Sequence, residues 1–199
     1  MKLYYAPGAC SLGARICLNE AGISADFERV DLHAHLTESG EDYLAINPKG
    51  SVPLLLLDDG QIVTENVAVL DFLAEIDPGL AVHRPLGRTH LIEMLSFLSS
   101  ELHVAFKPLF HESSDEAKTI AIKTVAHDLD LLNDRIAQGY LFGHHFSVAD
   151  AYLFTMLRWA MAFEIPLEPG TVGYFGRAAS RPAVRRSLTD EGLTVPSLH

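Results

Sequence analysis

The hydrophobic pattern of this 199-residue chain changes near residue 80, and that change limits the folds open to it. Before residue 77, short apolar runs alternate with segments of helical spacing, whereas after residue 87 only helical spacing remains. The segment that spans the change, DPGLAVHRPLG, is rich in proline and glycine, as linkers are. The pattern therefore predicts an α/β domain over residues 1–77, a linker over 78–86 and an all-helical domain over 87–199.

The first domain has the predicted element order β-α-β-α-β-β-α, which combines one crossover unit with a terminal hairpin and a final helix. Asp59-Gly60, which stands between two apolar runs, is a strong signal for a two-residue hairpin turn. The predicted strands are residues 2–5, 27–32, 54–57 and 61–64, and the predicted helices are residues 11–21, 41–46 and 65–76.

The second domain shows helical repeats throughout. A long first helix is predicted from apolar residues at alternating steps of four and three, namely Leu91, Leu95, Leu98, Leu102 and Ala105. Pro108 should bend or end this helix. Further helices are predicted over residues 121–136 and 148–163, and in shorter pieces as far as about residue 190.

The 148–163 helix is apolar nearly all round, which predicts that it is buried. Tyr152, Phe154 and Trp159 are therefore interpreted as core residues. Ser147 and Asp150, at the helix start, are interpreted as a capping box rather than a catalytic pair.

The net charge of −11, from 15 basic and 26 acidic residues, argues against nucleic acids and anionic membranes as partners. A small anionic ligand stays compatible with that charge, because a local pocket can oppose the global field. The longest apolar stretch, residues 151–163, contains Arg158 and is too short to cross a bilayer. Pro7 and Gly8 interrupt the N-terminus before a signal-peptide core could form.

The chain has two cysteines, Cys10 and Cys17, which lie two turns apart on the predicted first helix. A separation of ~10 Å along the axis is too long for a disulfide. This cysteine usage is typical of a reducing compartment, so a cytoplasmic protein is expected. Paired histidines at 33 and 35 and at 144 and 145 have no carboxylate or thiol at ligand spacing, so no metal site is predicted.

Cys10 is placed at the start of the first helix, where free backbone N–H groups and the helix dipole favour negative charge. The sequence therefore predicts a thiol that ionises easily, with Ser11 capping the helix or donating a hydrogen bond to a sulfur. The alternative is that Cys10 is a small buried residue. Cys17 is interpreted as core, and Gly13 occupies the position at which a dithiol motif would have its second cysteine.

Two further motifs belong to the same predicted sheet edge. Val52-Pro53 precedes a buried strand and is a candidate cis bond that would present the Val52 backbone to an extended ligand. Glu65 and Asn66 open the third helix, whose free N–H groups suit a carboxylate, while Glu65 suits an ammonium. An ordinary strand-entry proline and plain helix capping are the alternatives. Together with Cys10, these motifs suit a thiol peptide that carries an amine and carboxylates.

Five segments carry a family resemblance that runs the length of the chain. They are KLYYAPGACSLGARI, NPKGSVPLLLLDDG followed by TEN, SSELHVAFKPLF, FSVADAYLFTMLRWA and RPAV. In this order and spacing they resemble the bacterial beta-class glutathione S-transferases. The resemblance implies a thioredoxin-like α/β N-terminal domain, an all-α C-terminal domain, a homodimer, and glutathione as a co-substrate bound along the first domain, without a metal.

The resemblance also implies site residues. Cys10 would lie beside the glutathione sulfur, with His103 facing it from the helical domain. The remaining implied glutathione contacts are Val52 and Pro53 at the cysteinyl backbone, Glu65 and Asn66 at the γ-glutamyl end, and Leu32 and His35 at the glycyl end. Four positions depart from the family pattern: His35 and Val104 replace usual lysines, Asn66 a usual serine, and Ser96 an asparagine that often reaches glutathione across the dimer.

The preferred hypothesis is a detoxifying enzyme that conjugates glutathione to hydrophobic electrophiles, with Cys10, Ser11 and His103 at the sulfur. Phe106 and Phe110 of the long helix would face the second substrate. The first alternative is a glutathione-dependent disulfide reductase that uses Cys10. The second is a non-catalytic binding protein on the same fold, which the missing lysines motivate.

Overall fold

The structure is a computed structural model that describes residues 1–137 and 139–195. The strands are β1 (Lys2–Tyr5), β2 (Asp26–Asp31), β3 (Leu36–Thr37), β4 (Leu54–Leu56) and β5 (Ile62–Thr64). The helices are α1 (Ser11–Glu20), α2 (Tyr43–Ile46), α3 (Asn66–Ile76), α4 (Gly87–Phe97), α5 (His103–Phe110), α6 (Asp115–Ile136), α7 (Val148–Ala162), α8 (Pro169–Ala179) and α9 (Pro182–Asp190). The predicted fold class, a thioredoxin-like sheet followed by helices, is confirmed.

The sheet has the strand order β3-β2-β1-β4-β5. β1 pairs in parallel with β2 across the crossover helix α1, and it pairs antiparallel with β4 on its other side. Leu3 lies at the centre, opposite Phe27 on one neighbour and Leu55 on the other. The hairpin between β4 and β5 turns at the predicted glycine, Gly60, whose φ of +86° is a backbone conformation that glycine adopts without strain. The turn has three residues, 58–60, rather than the predicted two, since the Leu57 N–H donates to the Gln61 carbonyl oxygen at 2.8 Å.

The sequence pattern did not reveal β3. This strand has two residues, too few to show an alternating pattern, and it pairs antiparallel with β2. The predicted second strand begins one residue earlier than expected, at Asp26, and the predicted short helix begins at Tyr43 because the Asp42 side chain caps it.

The long predicted helix is interrupted in the middle. A five-residue π-helical segment, Leu98–Leu102, joins α4 to α5, and Pro108 lies inside α5 two residues before its end. The wider turn rotates the helix at the point where His103 begins α5. Such insertions are common at functional sites, since they re-aim the side chains that follow. A 3₁₀ turn, Pro78–Leu80, lies in the segment predicted as a linker.

Helix α7 is the centre of the helical half. Nearly all its side chains are buried, and the capping box predicted from Ser147 and Asp150 is present at its start. α1 packs against α3, α7 and α9, so one apolar core continues from the sheet into the helices. The predicted domain boundaries at 77 and 87 stay predictions, and residue 138 and residues 196–199 of the predicted helical domain lie outside the described residues. Within the described ranges, no helix is both long and apolar enough to cross a membrane.

Candidate active site

A cleft of about 570 Å³ lies between the sheet and the start of α5. Its lining residues are Ala6, Pro7, Gly8, Ala9, Cys10, Leu32, Gly50, Ser51, Val52, His103, Phe110, His111 and Trp159. Polypeptide from both halves of the chain therefore forms one cavity. Five of the residues predicted from the sequence are in this set: Cys10, Leu32, Val52, His103 and Phe110.

Cys10 directly precedes α1, as predicted, and its side chain is half-buried. Its Sγ lies 3.3 Å from the Val52 carbonyl oxygen, which accepts a hydrogen bond from the thiol. Burial raises the pKa of Cys10 to about 12, and the backbone N–H groups of Cys10 and Ser11 oppose that rise only in part. The prediction of an easily ionised thiol is therefore wrong, because desolvation outweighs the helix N-terminus.

Ser11 is fully buried, and its hydroxyl serves the loop before the helix. Its Oγ accepts a hydrogen bond from the Ala6 N–H at 3.2 Å and lies 3.3 Å from the Ala6 carbonyl oxygen, to which it can donate. No side chain caps α1. The structure thus does not support the predicted contact between Ser11 and a sulfur; Ser11 braces the turn that leads to Cys10.

The Val52-Pro53 peptide bond is cis, as the sequence suggested. The residue before it, Ser51, lines the cleft, and its carbonyl oxygen accepts hydrogen bonds from the Tyr43 hydroxyl and the Asn47 side chain, both at 2.8 Å. Two buried side chains thereby hold the backbone that faces Cys10.

The start of α3 carries an exposed carboxylate and a buried amide. Glu65 has φ +70°, outside the usual region for a residue with a side chain, and its carboxylate pairs with the Lys49 ammonium at 2.6 Å. Lys49 also donates to the Thr64 hydroxyl at 3.1 Å. Asn66 is 8% exposed, and within the described chain neither its amide oxygen nor its amide nitrogen has a hydrogen-bond partner. Buried amides are normally satisfied, so this one is free to meet a ligand.

His103 enters the cleft from the first residue of α5. Its Nδ1 lies 2.7 Å from the Tyr152 hydroxyl, and its ring centroid lies 4.9 Å from that of Trp159. Burial, followed by the nearby Lys107 charge, lowers the pKa of His103 to about 4. The imidazole is therefore neutral at physiological pH.

An aromatic wall closes the helical side of the cleft. Phe110 lines it and is 46% exposed, with Trp159 edge-on to it at 5.1 Å. Phe106, predicted to face a second substrate, is fully buried behind these two rings, so its direct role is corrected to packing. Trp159 was interpreted as core, yet it lines the cleft and donates its indole N–H to the Gly8 carbonyl oxygen at 2.8 Å.

Besides Ser11 and Phe106, five predicted residues are absent from the cleft lining: His35, Pro53, Glu65, Asn66 and Ser96. His35 packs against Gly50 with φ +53°. Ser96 is exposed on α4, and its expected place at glutathione across a dimer stays a prediction.

The sequence analysis did not single out Glu191, whose carboxylate accepts a hydrogen bond from the Gly8 N–H at 2.8 Å across 183 residues of chain. Glu191 also lies 3.1 Å from the buried Arg15 guanidinium. No local pattern marks such a contact. In the part of the chain that the structure describes, no group of three or more histidine, cysteine, aspartate or glutamate side chains could hold a metal ion.

A thioredoxin-like sheet with a cysteine at its first helix, closed by a helical domain, defines a class of thiol-peptide-binding proteins. Family models described as the N-terminal and C-terminal domains of glutathione S-transferase match residues 8–76 and 112–186. Glutathione S-transferase GstA of Escherichia coli O157:H7 is 42% identical, over 97% of this chain and all of that protein.

Two solved structures are similar over nearly the whole chain. A sphingomonad glutathione S-transferase complexed with glutathione gives a TM-score of 0.91 at 45% identity, covering 98% of this chain and all of the other. The bacterial beta-class enzyme of Sphingomonas chungbukensis gives 0.88 at 43% identity, with the same coverage. This chain belongs to the glutathione S-transferase family, and the predicted resemblance to its bacterial beta class is confirmed.

Proposed function

We propose that the protein conjugates the thiol of glutathione to small hydrophobic electrophiles. The observation that carries the proposal is the one cleft in which the Cys10 thiol and the Val52 backbone, at the sheet edge, face an aromatic wall from the helices. A polar peptide and an apolar second substrate need adjoining surfaces of these two kinds. Membership of the glutathione S-transferase family indicates the class of reaction, which is transfer of a group to the sulfur of glutathione.

Glutathione would lie along the sheet edge. The Val52 backbone pairs with the cysteinyl residue as an added strand would. The unpartnered Asn66 amide and the N-terminus of α3 receive the γ-glutamyl carboxylate, and Glu65 receives the ammonium. Lys49, whose ammonium pairs with Glu65, would bind a carboxylate of the peptide. Leu32 borders the glycyl end. His35 and Ser96 have no assigned contact with glutathione in this proposal.

The glutathione sulfur would lie between Cys10 and His103. Both groups are uncharged, so each acts on the sulfur through hydrogen bonding rather than by formal charge. Such donors stabilise a thiolate in a partly desolvated site. Ser11 contributes by fixing the loop that leads to Cys10. The raised pKa of Cys10 gives no support to the alternative in which that cysteine is a redox nucleophile.

The second substrate would occupy the wall formed by Phe110 and Trp159. Both rings offer apolar faces and edges, which suits planar or aromatic electrophiles. Homodimer formation, a cytoplasmic location and a detoxifying role belong to the same proposal. The family supports all three, and the unpaired cysteines Cys10 and Cys17 support the location alone, because free thiols are typical of a reducing compartment.

The test is the initial rate of conjugation of glutathione to an aryl halide, measured for wild type, Cys10→Ala and the matched control Cys17→Ala. We expect turnover above background in all three, with a loss of about tenfold in Cys10→Ala, the value of one hydrogen bond to the thiolate. Cys17 is fully buried and away from the cleft, so its variant should match wild type.

Absence of conjugation in wild type, for several electrophile classes, would overturn the proposal. A reducible glutathione adduct on Cys10 together with thiol–disulfide exchange would favour the reductase instead. A stable fold without any glutathione binding would favour a binding protein.

A further inference from the structure

The hydroxyl of Tyr152 is the polar group that holds the active-site histidine. Tyr152 is fully buried on α7, and its Oη lies 2.7 Å from His103 Nδ1, with the two rings nearly perpendicular at 79°. The sequence interpretation placed Tyr152 in the core, and the ring is indeed there. Its hydroxyl, however, contacts His103, which lines the cleft and which the family pattern assigns to the sulfur.

The contact between His103 and Tyr152 indicates which of the two side chains donates its hydrogen. His103 is neutral and carries one ring proton, while burial raises the pKa of Tyr152, so its hydroxyl keeps its hydrogen. A neutral imidazole has one donor nitrogen and one acceptor nitrogen. The Oη–Nδ1 separation of 2.7 Å is typical of a hydroxyl donor and lies at the short limit for an N–H donor, and the phenol is the more acidic of the two groups. His103 Nδ1 is then the acceptor for the tyrosine hydrogen.

This arrangement determines what His103 presents to the cleft. With Nδ1 accepting from Tyr152, the ring proton is on Nε2, at the opposite side of the imidazole. The indole of Trp159, whose centroid lies 4.9 Å from that of the imidazole, packs against the same ring. A ring held in this way offers a hydrogen-bond donor to the cleft and no base.

We propose that Tyr152 is a positioning residue that fixes His103 as an Nε2–H donor toward the sulfur of glutathione, a proposal that rests on the proposed function. Partners that orient a functional histidine through its second nitrogen act in this way in other proteins, and their loss costs about 10–100-fold in activity. No proton leaves the histidine in this scheme, because Nε2–H donates a hydrogen bond to a thiolate that is already formed.

The test begins with wild type, because it needs no variant. Long-range ¹H–¹⁵N correlation spectra of the uniformly labelled protein at pH 7 report the tautomer of each histidine, and His103→Gln assigns the signal. We expect the Nε2–H form, with and without glutathione. The Nδ1–H form in the wild type would overturn the proposal.

The second part uses Tyr152→Phe, which keeps the ring and removes the hydroxyl. We expect a mixed His103 tautomer and a drop in kcat/KM of about tenfold at pH 7. We also expect a higher pH midpoint for thiolate formation, measured by the absorbance of bound glutathione near 240 nm. The glutathione Kd should change less than twofold. An unchanged tautomer and pH profile would overturn the proposal.

The matched control is Tyr174→Phe. Tyr174 is also fully buried in the helical half, but its hydroxyl donates to Asp150 at 2.8 Å, away from the cleft. Tyr174→Phe should lower the free energy of unfolding without changing the His103 tautomer or the pH midpoint for thiolate formation. Where Tyr152→Phe does not fold, His103→Gln and His103→Asn replace it: an amide N–H at the Nε2 position should retain more activity than one at Nδ1, and the reverse order would contradict the proposal.

If the protein does not conjugate glutathione, the proposed function is wrong. The tautomer measurement still tests the role of Tyr152, because it does not depend on activity. The two failures are therefore distinguishable.

Discussion

Removal of the Asp150 carboxylate should be among the most destabilising single changes in this chain. Asp150 is fully buried and accepts four hydrogen bonds: from the Leu141 N–H at 2.8 Å, the Ser147 N–H at 2.8 Å, the Ser147 hydroxyl at 2.6 Å and the Tyr174 hydroxyl at 2.8 Å. This one side chain therefore joins the start of α7 to the preceding loop and to α8.

The cost follows from the donors left behind. Each buried donor without an acceptor costs about 1–3 kcal/mol, and the two hydroxyls can rotate toward other partners, whereas the backbone N–H groups of Leu141 and Ser147 cannot. Asp150→Ala should therefore lower the free energy of unfolding by about 4 kcal/mol or more. Asp150→Asn keeps the shape and one acceptor oxygen, so one backbone donor faces the amide hydrogens, and we expect about half that loss.

The assay is urea unfolding followed by circular dichroism, with Asp130→Ala as the control. Asp130 is an exposed carboxylate on α6, and its removal should change stability by less than about 0.5 kcal/mol. A loss of under about 2 kcal/mol in Asp150→Ala, at an unchanged denaturant slope, would refute the assignment of Asp150 as the central acceptor of this network.

Three other variants test the site. Asn66→Ala should raise the glutathione Kd, measured by calorimetry, by about tenfold, because it removes an amide that is proposed to contact the ligand. An unchanged Kd would contradict that contact. The control is Glu75→Ala, at an exposed position on α3. Trp159→Phe loses the bond to the Gly8 carbonyl and should cost about 1 kcal/mol of stability with a higher KM for the electrophile, and an unaffected KM would argue against the aromatic wall. His103 is half-buried, and its pKa is lower in the folded protein than in the unfolded chain. Between pH 6.5 and pH 4 the free energy of unfolding of wild type should therefore fall by about 3 kcal/mol more than that of His103→Gln. Parallel pH–stability curves for the two proteins would disprove this.

Local signals in the sequence predicted most of the fold. Asp59-Gly60 predicted the hairpin, although not its three-residue turn, because a tight turn depends on the residues inside it. Ser147 and Asp150 predicted their helix start for the same reason. Apolar spacing located the helices, although α6 begins at Asp115 rather than at residue 121, because its first turns are mostly polar and exposed. The pattern missed β3 and the π-helical segment Leu98–Leu102, because neither is long enough to change a periodicity.

The site was less predictable, because its properties depend on contacts between distant residues. A cysteine at a helix start predicts an acidic thiol, but the neighbours that desolvate Cys10 come from other parts of the chain, and their effect is the larger one. Tyr152 and Trp159 look like core residues on an all-apolar helix, and most of each side chain is core. The difference lies in single atoms, the hydroxyl and the indole nitrogen, which no hydrophobic pattern resolves.

Side chains from the helical half of the chain hold the loop that leads to Cys10, although Cys10 belongs to the sheet half. The Gly8 peptide unit, two residues before Cys10, donates its N–H to Glu191 and accepts at its carbonyl from Trp159. Both partners come from the helical end of the chain, and Ser11 fixes the same loop from within. The position of the thiol is therefore set by docking of the helices, since an isolated sheet half would lose two of these three anchors. Substitutions on α7 and at the end of α9 should for this reason change the geometry at Cys10, although they lie outside the sheet that carries it.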